Sequence, residues 1–297
     1  MFNLGFVGSK GIAITVAKEL ANNKNLKIVG VYSRSFEHCQ EFSKTFGATP
    51  YKSFEDMLQD KRINAIYVAT PHRYHYQYAK KALEKHIPVI CEKTLTLHYK
   101  SAKELFDLAE KNNTYFVEAM WTWFNPTAYK VKEWINNNKI GNVQTLKADF
   151  SVPSVLVDRK SRLNRNHLGG GSLYDLGVYP VTYCYRLFGY PKVIKVLKAK
   201  MKKEVDYSLK IYFEYENGVK CYLTSAINKL GLCNLSIKGD KGKIKLPPSF
   251  HSARKAILKN KEGKEIYRDT APLMQPLQPV SGDTAQNSPS RFFQRSL

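Results

Sequence analysis

The stretch Phe2-Asn3-Leu4-Gly5-Phe6-Val7-Gly8-Ser9-Lys10-Gly11-Ile12-Ala13 decides how the rest of the chain is read. Residues Asn3 to Val7 alternate into a short apolar strand that runs straight into a glycine-containing turn. From there Ile12, Ala13, Val16, Ala17 and Leu20 recur at helical spacing. Strand, glycine turn and helix, in that order, are the parts of a dinucleotide-binding fingerprint: a tight turn, a close approach of backbone to pyrophosphate, and a helix N-terminus behind the phosphates. Laid on G-x-G-x-x-A, the residues Gly8, Ser9, Lys10, Gly11, Ile12 and Ala13 put Lys10 where the second glycine belongs and Gly11 one position late. The same opening reads as a strand and not as a signal peptide, because no basic segment precedes a long apolar one.

Outward from this stretch the grammar repeats. Leu26 to Tyr32 is a β-branched run, followed by a helical pattern from Phe36 to Phe46 and a short one from Phe54 to Leu58. A strand at Ala65 to Ala69, a helix at Tyr74 to Lys85, a strand at Val89 to Cys91, a helix at Lys100 to Lys111 and a strand at Tyr115 to Val117 continue it. Strands alternating with helices of these lengths predict right-handed βαβ units on a parallel sheet. After Trp121 strands dominate. A helix at Pro126 to Asn136, a strand at Val143 to Val152, a basic loop and a helix at Ser172 to Phe188 come first. Strands follow at 193–200, 207–215, 219–227, 234–238, 243–246 and 256–259, with Asn217-Gly218 as a hairpin turn. The expected fold is α/β: a Rossmann parallel sheet over residues 1–120, and an α+β substrate-binding and dimerisation domain with a large open, mostly antiparallel sheet over 121–269. Lysine is absent after Lys264 and prolines recur, so 270–297 reads as a poorly ordered tail.

Composition narrows the function classes. A chain of 297 residues can bury two cores. The formal net charge of +22 invites a nucleic-acid partner, but the basic residues are spread along the chain and no nucleic-acid module is present. A solvated, lysine-rich surface is the reading, with no nucleic-acid and no membrane partner. No apolar run reaches the roughly 18 residues of a membrane span. Cys39, Cys91, Cys184, Cys221 and Cys233 are odd in number and scattered, which predicts free thiols in a reducing cytoplasm. No His/Asp/Glu cluster has metal-ligand spacing.

The end of the second strand chooses the cofactor. Enzymes using NAD place Asp or Glu there for the ribose 2′-hydroxyl. Here Tyr32-Ser33-Arg34-Ser35 offers no carboxylate before Glu37. Ser33 can donate to a 2′-phosphate and Arg34 can meet it with a planar charged fork, so NADP(H) is favoured over NAD(H).

Further motifs follow: Val68-Ala69-Thr70-Pro71-His72 with His75, Glu92-Lys93-Thr94, Glu118-Ala119-Met120-Trp121, the run Gly169-Gly170-Gly171-Ser172-Leu173-Tyr174-Asp175-Leu176-Gly177-Val178-Tyr179-Pro180, and Leu187-Phe188-Gly189. With these the chain, over about residues 1–264, resembles the glucose-fructose oxidoreductase and inositol dehydrogenase (Gfo/Idh/MocA) family. The similarity is greatest to its dimeric dihydrodiol dehydrogenase and NADP-linked xylose dehydrogenase branch. The resemblance implies that Lys93 lies beside the nicotinamide and bonds the reacting oxygen, that Tyr179 donates and accepts the proton, and that Asp175, one helical turn before it, is the third catalytic residue and orients the pair. It also implies that Thr70, Pro71, His72, His75, Glu92, Lys93 and Trp121 line the cofactor cleft, and that two copies pair through the flat outer face of the large sheet. The implied activity is NADP(H)-dependent hydride transfer at a secondary carbinol or carbonyl carbon of a sugar, polyol or diol.

The chemistry is coherent without the family. Taking hydride from a carbinol carbon requires removal of the hydroxyl proton and support for the oxyanion that develops. A phenol becomes a workable base when a neighbouring ammonium favours phenolate. The spacing of Asp175 and Tyr179 expects both on one face of one helix.

Three features depart from the family pattern. Lys10 replaces a glycine, where its side chain can clash with the pyrophosphate or its charge can compensate. Thr94 replaces a proline whose preceding bond is cis in relatives; cis bonds are rare before other residues, so the expectation is a displaced Lys93. The tail replaces a strand and helix that complete the relatives' second domain, as truncation or a frameshift would do. Trp123 also stands where close relatives have arginine. A site damaged at these points would leave an NADP(H)-binding sensor or partner protein, whereas retention of Lys93, Asp175 and Tyr179 together favours catalysis.

Overall fold

The computed structural model describes residues 1–153 and 161–270. Two compact units divide the chain, one from Met1 to Ala119 and the other beginning at Met120.

The first unit is a six-stranded, wholly parallel sheet in the order β3-β2-β1-β4-β5-β6. Its strands are β1 (Phe2–Val7), β2 (Leu26–Tyr32), β3 (Thr49–Tyr51), β4 (Ala65–Val68), β5 (Val89–Glu92) and β6 (Phe116–Ala119). Helices α1 (Ile12–Leu20), α2 (Phe36–Phe46), α3 (Phe54–Gln59), α4 (His75–Glu84) and α5 (Tyr99–Lys111) lie between them. The sheet has apolar side chains on both faces and buries both. Leu4, Phe6, Ala65 and Tyr67 pack with Ala13, Ala17, Cys39 and Phe42 of α1 and α2. Their strand neighbours Val7, Ile66 and Val68 pack on Phe54, Met57, Ala79, Leu83 and Leu105 of α3, α4 and α5. Strand order reverses between β1 and β4, the switch point outside whose carboxyl ends open α/β sheets bind ligands.

Boundaries follow local chemistry. Ser35 and Ser53 cap α2 and α3 by accepting from the amides of His38 and Asp56, and Gly47 ends α2 in the left-handed region. The edge strand β3 is one the periodicity does not predict: Thr49-Pro50-Tyr51 is short and contains a proline, which an edge tolerates.

The second unit is an eight-stranded sheet in the order β14-β13-β12-β11-β7-β10-β9-β8. Its strands are β7 (Val143–Ser151), β8 (Val193–Lys202), β9 (Val205–Glu214), β10 (Lys220–Ala226), β11 (Leu235–Gly239), β12 (Gly242–Leu246), β13 (Lys255–Asn260) and β14 (Glu265–Thr270). All pairs are antiparallel except β7 with β10. One face is apolar and packs Leu146, Phe150, Ile211, Leu223 and Ile237 with Val131 and Trp134 of α6 (Pro126–Asn136) and Tyr183 and Cys184 of α7 (Val178–Phe188). The other face is basic. Lys238, Lys243 and Lys259 stand opposite one another across β11, β12 and β13, while Lys147 and Lys245 flank Ser236. Burial, then the charges of Lys245, Lys147, Lys238 and Lys259, hold the Lys243 ammonium below the usual lysine range. Lysines scattered along the sequence thus converge on one surface.

Two expectations are corrected. Thr270 closes β14, paired to β13, instead of opening a tail; residues 271–297 lie outside the described residues, as does the 154–160 part of the basic loop. The helix expected from Ser172 to Phe188 is not uniform: Leu173–Gly177 is a π-helical turn and only Val178–Phe188 is α-helical. Pro180 explains the break, since it has no N–H for the carbonyl four residues back and its ring crowds that carbonyl. All five cysteines are free thiols. Among the described residues no helix is long and apolar enough to cross a membrane.

Candidate active site

At the carboxyl end of β1 the chain turns sharply. Gly8 has φ +115°, its N–H donates to Tyr32 O at 2.8 Å, and a Cβ there would lie 2.8 Å from the Ala69 carbonyl carbon. Only glycine lets this turn lie so close to the end of β4. Ser9 is buried, Gly11 caps α1 at φ +56°, and a Cβ on Gly11 would project into open space. Lys10, which the sequence places at a glycine position, holds its side chain in solvent and uses its carbonyl to accept from Ala13. Ile12 is exposed and Ala13 buried, so α1 meets the sheet through its small residues. This is a cradle that fits a pyrophosphate: open backbone at a helix N-terminus, with no carboxylate in the first turn.

At the end of β2, Ser33 is half-buried and Arg34 exposed. Arg34 Nη1 donates to the Tyr74 hydroxyl at 2.8 Å, and its guanidinium carbon lies 4.4 Å from the Tyr74 ring centroid. Tyr74 was not legible as a site residue. It ends the single 3-10 turn His72–Tyr74 that precedes α4, and no sequence period links it to Arg34.

The loops after β4 and β5 are tied together. Pro71 enters the turn, and His72 and His75 are both buried. His75 Nε2 lies 2.7 Å from Thr70 O, and its Nδ1 lies 3.0 Å from Thr94 O and 3.2 Å from Leu95 O. Glu92 accepts from the Tyr67 hydroxyl at 2.6 Å and from the Lys93 amide at 3.1 Å. The Lys93-Thr94 peptide is cis, so threonine takes the form that the sequence expects only of proline.

Glu118, at the end of β6, accepts from the Leu95 amide at 2.9 Å. Burial first, then the Glu92 charge, push its carboxyl from 4.5 up to about 7, with the Leu95 amide and Lys93 opposing. Because the folded value is the higher one, the native state holds the extra proton between about pH 4.5 and 7, and stability falls as pH rises through that window. The loss is of the order of 3 kcal/mol. Glu118→Gln keeps an acceptor for Leu95, so urea unfolding at pH 5 and pH 8 is expected to show the wild type weaker at pH 8 and the variant nearly level.

In the second unit Tyr179 is 6% exposed, among Phe150, Trp121 and His251 at ring-centroid distances of 5.5, 6.0 and 5.3 Å. The Trp121 indole N–H donates to the Tyr179 hydroxyl oxygen at 3.0 Å. Trp121, expected along the cofactor, holds the Tyr179 phenol by this bond. Its short turn Trp121–Phe124 is held by Arg186, which donates to Thr122 O at 3.0 Å and to Trp123 O, and stacks over Tyr129 and Trp123. Asp175 lies in the π-helical turn, so the shared α-helical face expected with Tyr179 does not form as drawn. Asp175 is ion-paired with Arg162 at 2.5 Å. The glycine run preceding it has a packing cause: Asp206 of β9 accepts from the Ser172 hydroxyl at 2.6 Å and the Leu173 amide at 2.8 Å, and any side chain on Gly171 would strike that carboxylate. Arg162 and His251 escaped the sequence reading because they join this region from separate loops.

Comparison with known proteins agrees with this architecture. Residues 2–119 match the family described as "Oxidoreductase family, NAD-binding Rossmann fold", and residues 129–245 match the GFO/IDH/MocA C-terminal domain. The chain belongs to the Gfo/Idh/MocA oxidoreductase family. Within this family it is 29% identical, over 83% of its length and 75% of the other's, to a trans-1,2-dihydrobenzene-1,2-diol dehydrogenase of Xenopus laevis. It is 32% identical to a D-xylose 1-dehydrogenase (NADP(+)) of Hypocrea jecorina, over 61% of this chain and 52% of that one. A 3-ketoreductase of Actinomadura kijaniata, solved with NADP and TDP-benzene, shares the fold with a TM-score of 0.82 at 20% identity, covering 91% of this chain and 84% of that one. The Gfo/Idh/MocA assignment accounts for the pairing of a six-stranded parallel sheet with a large mixed one.

Proposed function

We propose that this chain is an NADP(H)-dependent oxidoreductase that moves hydride at a secondary carbinol or carbonyl carbon of a sugar, polyol or diol. The observation that carries the cofactor choice is the end of β2, where Arg34 is already stacked on and bonded to Tyr74 and no carboxylate is present to repel a 2′-phosphate. The residues that would hold the dinucleotide are Gly8, Ser9, Lys10, Gly11, Ile12 and Ala13 at the pyrophosphate, and Ser33 and Arg34 at the adenosine phosphate. Thr70, Pro71, His72, Glu92, Lys93 and Trp121 complete the assignment, while His75, buried against the Thr70 and Thr94 carbonyls, acts through the loops it holds. When bound, the nicotinamide supplies the hydride acceptor or donor. The Lys93 ammonium supports charge on the reacting oxygen, and Tyr179 takes the hydroxyl proton or returns it. The Trp121 N–H stabilises negative charge on that phenol, since a donor to the charged form favours it. Asp175, paired to Arg162, fixes the turn that leads into α7. The names of the dihydrodiol, xylose and related dehydrogenases support the substrate class. The same reading makes the protein a cytoplasmic homodimer acting on a small molecule.

The test is a fluorescence titration with NADPH and with NADH, followed by a screen of aldoses, polyols and diols for NADPH formation. A charge-assisted contact contributes about 1.5–3 kcal/mol, so Arg34→Ala is expected to weaken NADPH roughly 10- to 100-fold. NADH, lacking the phosphate, should change little. Equal loss for both cofactors, or none, would remove Arg34 from the site. Tight NADPH binding without turnover on any substrate would favour a sensor.

A further inference from the structure

We infer that His75 is an imidazolium, protonated at both ring nitrogens at neutral pH, that clamps the segment carrying Lys93 onto the end of β4. Its bearing on catalysis rests on the function proposed above; its protonation does not.

The ring is 0% exposed and its two nitrogens face in opposite directions toward backbone oxygens. Nε2 is 2.7 Å from Thr70 O, and Nδ1 is 3.0 and 3.2 Å from Thr94 O and Leu95 O. Carbonyl oxygens only accept. A neutral imidazole donates from one nitrogen, so its other lone pair would be pressed against a carbonyl in a buried setting, where that repulsion is largest. The imidazolium donates on both sides, and its bonds gain from the charge.

The electrostatic surroundings act in both senses. His72, from the preceding turn, lies edge-on at 5.6 Å, and the N-terminus of α4, which His75 opens, disfavours a cation. Lys93 adds a like charge on the clamped segment. Two carboxylates bind amides of that segment: Glu92 at the Lys93 amide and Glu118, from β6, at the Leu95 amide. Tyr67 of β4 is committed to Glu92. Burial itself opposes the charge, and the three oxygens in direct contact offset that cost, because charge-assisted hydrogen bonds gain strength in the same water-free setting, whereas helix-end effects are weaker than either.

His75 is thus a positioning residue. It joins the carbonyl of Thr70 to those of Thr94 and Leu95, the residues immediately after Lys93, and so sets where that lysine's backbone lies. Glutamine at this position can donate only from its amide nitrogen, which leaves one side of the clamp open.

The measurement is nitrogen-15 NMR of the full chain, without cofactor, at pH 7.5, with the His75 signals identified by their loss in His75→Gln. Both ring nitrogens are expected to resonate as protonated. One protonated and one bare nitrogen would overturn the inference. In His75→Gln, hydrogen exchange at the Leu95 amide is expected to quicken at least tenfold while amides within β1 and β4 keep their protection; unchanged exchange at Leu95 would refute the clamp. Neither readout needs turnover, so a wrong substrate class or an inactive enzyme leaves both informative. If the enzyme reading holds, the variant loses kcat with little change in KM for NADPH.

Discussion

Tyr179→Phe is expected to lower kcat by about 10³-fold and leave NADPH affinity within roughly threefold, since a positioned acid or base contributes 10²–10⁴-fold. The substitution removes one oxygen and keeps the ring that fills the nest of Phe150, Trp121 and His251. The Trp121 indole loses its acceptor, which costs about 1 kcal/mol of stability and does not unfold the unit. Rapid kinetics with saturating NADPH separates the cases. A large fall in the hydride step identifies the phenol as the proton carrier. A change confined to KM would make Tyr179 a binding residue, and an unchanged rate would pass the role to another group in the nest. Trp121→Phe provides the companion test: it keeps the phenol and removes its donor, so a smaller loss, of the order of tenfold, is expected.

The second large effect is structural. Gly8→Ala is expected to cost about 3–5 kcal/mol and to abolish measurable NADPH binding, combining backbone strain at φ +115° with overpacking. The atom that the new methyl meets is the backbone of Ala69, and Ala69 cannot withdraw cheaply because its amide donates to Val7 O at 2.8 Å. Gly8 is itself held by its bond to Tyr32 O. The collision therefore falls on the central strands at the switch point. Urea unfolding gives the stability loss and a fluorescence titration gives the binding loss. A variant with wild-type stability would show that the turn can move away from β4.

What could be read from the sequence, and what could not, divides by range. Elements with a strong local period, such as α1, α2, β2 and α6, have observed limits that match the reading, because apolar spacing and caps such as Ser35 are local signals. The strand β3 was hidden by Pro50 and its three-residue length, and β14 by weak alternation beyond the turn at Gly263. Within the candidate site, Arg34 was legible from its position after a strand, whereas its support by Tyr74 joins residues forty apart. Glu118 was visible only as part of a motif; its raised proton affinity comes from burial and from Glu92, which no spacing rule reports. His75 likewise looked like a residue at a helix start, and the three carbonyls around it come from two different loops.

The π-helical turn at Leu173–Gly177 also sets how the chain tolerates insertions and deletions. Each residue of an α-helix advances the side-chain direction by about 100°, so a widened ring acts as a phase adjuster between the Gly171 anchor at Asp206 and the helix that presents Tyr179. Loss of one residue within the widened ring would restore regular winding and keep the phenol in phase, whereas one residue added to regular winding would swing the phenol about a quarter turn out of its aromatic nest. The segment between Gly171 and Tyr179 can therefore give up one residue more readily than it can take one, and engineered libraries there should vary composition and include that single deletion.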